Sequence, residues 1–401
     1  MNVFVAILGL GLLVFVHEAG HFFTARAVGM TPRRFYIGFP PPLIRVKRKG
    51  IEYGIGAIPL GGYVKIPGMH RPAPSDLDAF LGPALAEAPQ LLAPLERVKR
   101  RLAEGEMERA RELMPDLEDA VEEASISPHA AKSARRGLTE LKDGLGTDAY
   151  WRQKTWKKVA VIFAGPGTNL LFAICLFTAL YVVGSGGYRL GFSLETSKPV
   201  VHAVRTDHPA ARMGLMAGDR IVKVNGVLVK SASEIPSLIE RSRGRPITIT
   251  VRRGGQLIQL GPARPKAEPR LSVPTAAWQS IRLTGVITKE IGASLTRLVR
   301  GQRKEVSSPV GIVEGSSEAL KQGVQTYFWV LGLLSLSLAL LNLLPLLPLD
   351  GGHIAFSIIE GIRGRAVGRE VYERVSAIGI ALVLLLFFIG LSNDIGRLGG
   401  N

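Results

Sequence analysis

The chain has 401 residues, which leaves room for two or three structural units. Hydrophobic residues make up 47% of it and charged residues 21%. The two fractions can both be high because the apolar residues are gathered in a few long blocks. The net charge of +17 suits a membrane protein beside anionic lipid, and since no base-reading motif accompanies it we expect no nucleic-acid partner. The single cysteine, Cys175, excludes an intramolecular disulfide and a cysteine-based zinc site.

Four apolar blocks are each long enough to cross a membrane, for which roughly 20 residues are needed. They are about Asn2–Val28, Val159–Val183, Thr326–Leu349 and Val375–Leu391. The first block lacks the basic start and cleavage site of a signal peptide, so we expect it to remain as a span. The loop between the last two blocks carries Arg363, Arg365, Arg369 and Arg374. The positive-inside rule therefore puts this loop in the cytoplasm and both termini outside.

The first block ends in the pattern Val16-His17-Glu18-Ala19-Gly20-His21-Phe22, an H-E-x-x-H motif. On a helix, His17 and His21 share a face, which suits two imidazoles that bind one metal ion. Glu18 lies beside them, where a carboxylate can take a proton from a metal-activated water. Chance is the alternative, but ionisable side chains in an apolar block are costly and indicate function. The pattern therefore predicts a metal site with a general base.

A catalytic zinc needs a third protein ligand, and the best remaining candidate ends the third block. The run Leu341-Asn342-Leu343-Leu344-Pro345-Leu346-Leu347-Pro348-Leu349-Asp350 finishes in an acid, and its prolines break the helix. At 1.5 Å per residue, His17 lies about 24 Å from the N-terminus and Asp350 about 36 Å from Thr326. Both approach the cytosolic side of a core about 30 Å thick, so we expect these ligands to meet.

Residues 33–66 have the composition of β-strands. The predicted strands are Arg34–Phe39, Leu43–Arg48, Ile51–Ile58 and Gly62–Ile66, with a hairpin turn at Arg48-Lys49-Gly50. We expect this sheet to lie at the membrane and to offer a free edge to an extended peptide; a small cytosolic hairpin is the alternative. Residues 71–150 are charge-dense with apolar residues at helical spacing, which predicts two or three solvated cytosolic helices.

Residues 185–265 predict a separate globular unit. Its predicted strands are Val200–Arg205, Arg220–Val224, Val227–Val229 and Ile247–Val251, and its helices Pro209–Met213 and Ala232–Arg241. The run from Pro209 to Gly226 resembles the central stretch of PDZ domains, which implies binding of peptide segments or C-termini. The triplet Leu190-Gly191-Phe192 is a candidate carboxylate-binding loop. Residues 266–325 predict a linker followed by an amphipathic helix.

Several motifs, in order, resemble the site-2 protease family of intramembrane zinc proteases. HEAGH and the run from Asn342 to Gly351 are similar to its paired site motifs, and Pro59-Leu-Gly-Gly-Tyr-Val-Lys-Ile-Pro-Gly68 to its membrane-associated β-loop. Residues 163–169 resemble the family's signature in the second span. Residues 308–312 resemble its segment before the third span. The resemblance covers nearly the whole chain and implies the bacterial branch that clips anti-sigma factors and leftover signal peptides. The departures are a single PDZ unit, a proline one position late at Pro348, and the 71–150 insertion.

The resemblance implies that His17, His21 and Asp350 bind Zn²⁺ and that Glu18 is the general base of peptide hydrolysis. It implies that Asn342 contacts the substrate backbone, with a helix–helix hydrogen bond in lipid as the alternative. The same two interpretations apply equally to Asn169.

A helical substrate hides its peptide carbonyls and must unwind before hydrolysis. We expect the edge residues Gly62, Tyr63 and Val64 to bind its freed backbone. Of the remaining histidines, His353 is expected in a loop. The others are expected to be solvated, namely His70, His129, His202 and His208.

The sequence thus predicts an α-helical polytopic membrane protein with about four transmembrane helices, a membrane-associated β-loop and one extracytoplasmic PDZ-like α+β domain. The predicted segments are transmembrane helix 1 (1–28), β-loop (29–70), cytosolic helical insertion (71–150), transmembrane helix 2 (151–184), PDZ domain (185–265), extracytoplasmic linker and amphipathic helix (266–325), transmembrane helix 3 (326–353), cytosolic basic loop (354–374), and transmembrane helix 4 with the tail (375–401).

The expected function is cleavage of single-span membrane proteins within or near their transmembrane segments, in the bacterial inner membrane, with the active site towards the cytosol. A catalytically inactive PDZ-bearing membrane scaffold is the alternative, and the intact Glu18 argues against it. A transporter would predict paired repeats with interrupted helices, which the sequence does not contain.

Overall fold

The computed structural model describes residues 2–184, 186–195, 198–232, 234–299, 308–365, 367 and 369–399. The chain forms two compact units, one of residues 1–3, 173–292 and 314–333, the other of residues 4–172, 293–313 and 334–401. The α-helices, numbered in chain order, are α1 Asn2–Ala27, α2 Pro74–Glu87, α3 Leu92–Ala103, α4 Met107–Glu112, α5 Met114–Glu123, α6 Pro128–Leu145, α7 Thr155–Gly184, α8 Pro209–Arg212, α9 Glu234–Arg241, α10 Val273–Val299, α11 Pro309–Gln322, α12 Val324–Asn342, α13 Asp350–Arg363 and α14 Arg369–Gly399. The strands are β1 Arg34–Arg48, β2 Ile51–Lys65, β3 Gly187–Arg189, β4 Phe192–Leu194, β5 Val201–Val204, β6 Arg220–Val224, β7 Val227–Leu228, β8 Ile247–Arg253, β9 Gln256–Ala263 and β10 Lys266–Glu268.

Within the described residues, four helices are long and apolar enough to cross a membrane, namely α1, α7, α12 and α14. This confirms the prediction of about four transmembrane helices. They leave large apolar side chains exposed, among them Phe4 on α1, Leu171 on α7 and Phe388 on α14. Water would penalise such continuous apolar surfaces, whereas the hydrocarbon core of a bilayer accommodates them. The chain is therefore a polytopic membrane protein.

The third spanning helix ends well before Asp350. Helix α12 stops at Asn342, and its 19 residues rise only about 28 Å. The depth of about 36 Å expected for Asp350 is wrong, because Pro345 and Pro348 lack the N–H groups needed to continue the helix. Asp350 instead begins α13, which runs through much of the stretch expected as a cytosolic loop. His353 consequently lies in a helix and not in a loop.

Strands β1 and β2 turn at Lys49 and Gly50, whose positive φ angles of 49° and 79° are those a tight hairpin requires. Each long strand contributes two segments to the sheet. Residues 34–37 lie opposite 52–55 on one side and 62–65 on the other, while residues 44–48 pair with 51–55. The four predicted strand segments and the turn are therefore present. Among the described residues, segment 62–65 forms one edge of the sheet.

Helices α2 to α6 form a helical unit with its own apolar core. Its fully buried side chains include Leu81 on α2, Leu95 on α3, Leu117 on α5 and Leu145 on α6. The structure has five helices here, more than the two or three predicted. Gly105, with φ +79°, separates α3 from α4, and Pro115 is the second residue of α5.

Residues 187–268 form an α+β unit. Its four-stranded sheet has the order β7-β6-β8-β9, and β4–β5 and β10–β3 form two further pairs. Helix α9 packs Ile235 and Ile239 onto this core, and the strands and helices predicted here are present. His208 is only 2% exposed, 2.9 Å from a carboxylate oxygen of Asp207 and 3.2 Å from one of Glu268. The expectation that His208 is solvated was wrong, because the backbone packs Gly191 against its ring.

Candidate active site

The two histidines of the HEAGH motif point in one direction from α1. His17 and His21 are both buried, and their Nε2 atoms lie 3.2 Å apart. The Nδ1 of His21 contacts the carbonyl oxygen of Val161 at 2.8 Å, so Nδ1 carries the proton and Nε2 presents a lone pair. A helix that crosses lipid thus holds two imidazole Nε2 atoms beside one another at a single site.

Asp350 joins this pair from the start of α13. Its Oδ2 lies 3.1 Å from Nε2 of His17 and 3.4 Å from Nε2 of His21. The chain can double back here because Gly351 packs directly against the carbonyl oxygens of Leu343 and Leu344, where a side chain would overlap them. The turn that the prolines create therefore brings Asp350 beside the two histidines.

The donor set fits a zinc ion. Ligand atoms about 2.0 Å from a tetrahedral zinc lie roughly 3.3 Å from one another, and the three separations are 3.2, 3.1 and 3.4 Å. The Oδ2 of Asp350 is buried and has no hydrogen-bond donor among the described residues. If both Nε2 atoms are unprotonated, they and the carboxylate oxygen repel one another at these distances, and a cation between them removes that repulsion. Histidine and aspartate are also among the ligands zinc prefers.

Helix α7 supports the histidines from behind. Gly165 faces the ring of His21 so closely that any Cβ would overlap it, and Gly20 on α1 packs against the backbone of Ala164 in the same way. The hydroxyl of Thr168 donates to the carbonyl oxygen of Val16 at 3.0 Å. Sequence reasoning did not single out Gly20, Gly165 or Thr168. Small residues recurring along two apolar helices were the available signal, because they let the helix backbones approach.

Asn169 lies beside His17. It is fully buried, and its side-chain amide is 3.4 Å from Nδ1 of His17, while its backbone carbonyl accepts a hydrogen bond from Ser335. The side-chain oxygen has no partner among the described residues. Rotating the amide by 180° brings that oxygen to Nδ1, where it can accept the proton and leave Nε2 free for a metal. This position suits orientation of a zinc ligand; the predicted contact with substrate stays a prediction.

Replacing Asn169 by leucine is expected to weaken zinc binding by about 10- to 100-fold, as loss of a hydrogen bond to a ligating histidine typically does. Competition against a chelator of known affinity measures the change. If Asn169 acts by contacting substrate instead, KM will rise while zinc affinity equals that of the wild type.

Glu18 and one edge of the β-sheet face each other across the site. Glu18 is 8% exposed, and the backbone N–H of Val64 faces its carboxylate. A Cβ on Gly62 would come within 2.9 Å of the Glu18 side chain, so only glycine allows this approach. The carbonyl of Lys65 accepts from Arg33 at 2.7 Å, inside the sheet. Because neighbouring residues of a strand point their backbone groups in opposite directions, Gly62 and Val64 direct theirs towards Glu18.

The other predicted site residues have partners within the protein. Tyr63 stacks on Tyr36 with ring centroids 5.2 Å apart. Asn342 donates to the carbonyl of Leu338, one turn back on α12, at 3.0 Å. The substrate-binding roles of Tyr63 and Asn342 stay predictions. Outside the predicted set, His353 lies 2.6 Å from the hydroxyl of Tyr372.

A histidine pair on a membrane helix, an aspartate from a second helix and a glutamate beside them form the active site expected of a membrane-embedded metallopeptidase. Comparison with known sequences agrees. The profile of Peptidase family M50 matches residues 5–386, and the chain belongs to this family. The predicted resemblance to site-2 proteases is confirmed. The chain is a site-2 protease-type zinc metalloendopeptidase, and Zn²⁺ is its cofactor.

Three relatives illustrate the match. The "Probable protease eep" of Enterococcus faecalis (strain ATCC 700802 / V583) is 28% identical over 96% of this chain and 97% of its own. The "Regulator of sigma-W protease RasP" of Bacillus subtilis (strain 168) is 27% identical over 97% and 96%. The "Zinc metalloprotease Rip1" of Mycobacterium tuberculosis (strain ATCC 25618 / H37Rv) is 28% identical over 95% and 91%. These alignments run nearly end to end, so the chain corresponds to whole relatives and not to one of their domains.

Proposed function

We propose that the protein hydrolyses peptide bonds within or near the transmembrane segments of single-span membrane proteins, of the anti-sigma factor or remnant signal peptide type. The observation that carries the proposal is the convergence of His17, His21 and Asp350 at the ends of apolar helices. Such a cluster assembles only when α1 and α13 pack together, so its substrate must reach it from the bilayer. The name of the B. subtilis relative, a regulator of sigma-W protease, is consistent with substrates of the anti-sigma type.

In this proposal His17, His21 and Asp350 hold the zinc ion, and Glu18 is the general base. A zinc ion held there would supply Lewis-acid chemistry, which polarises a carbonyl and lowers the pKa of water towards neutrality. Glu18 takes the proton of the attacking water and gives it to the leaving amine. Its burial beside the ligands excludes bulk water, which strengthens these electrostatic interactions.

The edge segment 62–65 binds the unwound substrate as an added strand. In the free protein the N–H of Val64 faces the carboxylate of Glu18. A substrate carbonyl that takes this donor satisfies its own lost helix hydrogen bond and releases Glu18 to act as a base. The edge thus couples substrate unwinding to activation of the catalytic carboxylate.

Changing Val64 to proline removes this N–H donor. We expect cleavage to fall at least about tenfold while zinc remains bound, because a hydrogen bond to a charged group or to the substrate is lost. Gly62→Pro is expected to impair cleavage too, although its ring also meets Glu18. Val64→Ala keeps the N–H and is the matched control for side-chain loss. Normal turnover of Val64→Pro would refute strand addition at this edge.

The α+β unit is proposed to be an extracytoplasmic PDZ domain that binds peptide segments or C-termini. Support comes from a cavity between β4 and α9, lined by Leu190, Phe192, Ile235 and Ile239 among others. Gly191, in the middle of the candidate carboxylate-binding loop, has φ +84°, which turns the chain at the mouth of this cavity. An apolar groove with exposed backbone beside it suits an extended peptide.

We further propose a bacterial inner-membrane location with both termini outside the cytosol. Four arginines, from the last residue of α13 to the first turns of α14, favour the cytosolic side for this part of the chain. Asp350, close by in sequence, would then bring the active site to the cytosolic side. The β-loop of residues 29–70 and the helical insertion would lie on that side as well.

The test uses the purified full-length protein in vesicles with a single-span membrane protein as substrate. We expect cleavage near the membrane span, loss of cleavage on chelation, and recovery with Zn²⁺. The alternative function is a catalytically inactive PDZ-bearing scaffold. Peptide binding without cleavage of any member of a broad substrate panel by the zinc-restored protein would favour that scaffold.

A further inference from the structure

The helical unit α2–α6 is fastened to the β-sheet at the residue that ends the edge segment 62–65. Lys65 Nζ donates to Glu140 on α6 at 2.6 Å and lies 3.7 Å from Asp143 of the same helix. Its backbone carbonyl meanwhile accepts from Arg33. Lys65 is therefore shared between the sheet and the helical unit.

Arg33, which precedes β1, makes a second attachment to the same helix and the residues after it. Its Nε donates to Asp143 at 2.7 Å and its Nη1 to Asp148 at 2.9 Å. Burial alone would lower the pKa of Arg33, but the hydrogen bonds that it donates to these carboxylates outweigh burial and raise the pKa. The side chain of Asp143 is only 11% exposed and that of Arg33 30%. Partly buried, multiply hydrogen-bonded pairs of this kind hold geometry better than surface ion pairs do.

The backbone adds a third attachment. Just past the edge segment, the carbonyls of Pro67 and Gly68 accept hydrogen bonds from the N–H groups of Tyr150 and Trp151, at 2.9 and 3.0 Å. The insertion therefore leaves and rejoins the chain at one place, next to the catalytic edge. Helix α6 itself is fixed because Leu138, Leu141 and Leu145 are buried in the core of the helical unit.

We propose that the helical insertion of residues 71–150 is a platform that positions the substrate-binding edge, and that Lys65 and Arg33 are the positioning residues. The inference rests on the proposed role of segment 62–65 in binding substrate. Val64, whose N–H faces Glu18, is the residue next to Lys65, so displacement of Lys65 moves the donor on which strand addition depends. The insertion thereby acquires a role in setting substrate affinity.

The experiment reverses the charges of the attachment. Lys65→Glu is expected to raise KM for a single-span membrane substrate about tenfold, the change that about 1.4 kcal/mol of lost binding produces, with kcat within about twofold of wild type. The double variant Lys65→Glu/Glu140→Lys restores the opposite charges and is expected to recover most of the KM. Zinc content stays at the wild-type value in both variants.

The matched control is the ion pair of Lys142 with Glu118, whose charged atoms lie 3.1 Å apart within the helical unit. Neither residue is one of the partners of Lys65 named above. Lys142→Glu makes the same charge reversal, on the helix that carries the partners of Lys65, and is expected to leave KM unaltered. If the substitution unfolded part of the protein, the smaller active fraction would lower the apparent kcat and would not raise KM. An unchanged KM in Lys65→Glu, or a double variant no better than the single one, would overturn the proposal. Failure of strand addition itself is recognised separately, by normal turnover of Val64→Pro.

Discussion

Replacement of Glu18 by glutamine is expected to lower kcat by about 10²–10⁴-fold while zinc stays bound, the range that loss of a general acid–base group produces. Glutamine has nearly the shape of glutamate and can still accept the N–H of Val64, but it cannot take a proton from water at neutral pH. The ligands His17, His21 and Asp350 are untouched. The measurements are single-turnover cleavage of a vesicle-embedded single-span substrate and the zinc content of the same preparation.

Glu52→Gln provides the control for this variant. Glu52 lies on β2, where it accepts a hydrogen bond from the Tyr36 hydroxyl at 2.6 Å, away from the ligand cluster. Glu52→Gln should retain most activity, since neither proton transfer nor zinc binding uses that carboxylate. Equal cleavage by Glu18→Gln and the wild type would contradict the assignment of the base and would favour the scaffold interpretation.

The residues that the structure brings together as His17, His21 and Asp350 could be named from the sequence because each follows a simple rule. The i, i+4 spacing of His17 and His21 sets their common face on any helix, and apolar length identifies the spans regardless of packing. Asp350 was the acid that closed an otherwise apolar block, so the set of candidate third ligands was small. Gly62 and Val64, which were predicted as edge residues, lie close to Glu18. A short sheet that directly follows the HEAGH helix in sequence makes this proximity possible.

The parts that sequence did not predict depend on contacts between distant segments. A continuous helix placed Asp350 too deep, because propensity does not show how far the chain doubles back after Pro345 and Pro348. Nothing in the local pattern shows that Asn169 lies behind His17, or that Lys65 meets Glu140 across 75 residues of chain. Strand segments were predictable from composition, whereas their order across the sheet depends on pairing between segments. Long-range partners therefore carry most of what the structure adds.

Replacement of Asp350 by alanine is expected to abolish cleavage and to weaken zinc binding by more than about 100-fold, beyond the loss typical of an outer hydrogen-bond partner such as Asn169. Alanine leaves the two Nε2 atoms of His17 and His21 as the only protein ligands among the three, and it removes the negative charge that offsets the cation. Asp350→Asn retains an oxygen of similar position without the charge, so its zinc affinity should fall between those of Asp350→Ala and Asn169→Leu.

This order of zinc affinities separates ligation from a merely structural role for Asp350. Asp394 supplies the comparison, because it is also a buried carboxylate, 2% exposed, and accepts the N–H groups of Ser308 and Gly311 at the start of α11. Asp394→Asn is expected to lower thermal stability while each molecule that stays folded keeps wild-type zinc affinity. Chelator competition on both series decides the matter: equal zinc affinity in Asp350→Ala and the wild type would exclude Asp350 as a ligand. A graded loss confined to the Asp350 and Asn169 variants would place the charge and the oxygen of Asp350 on the metal.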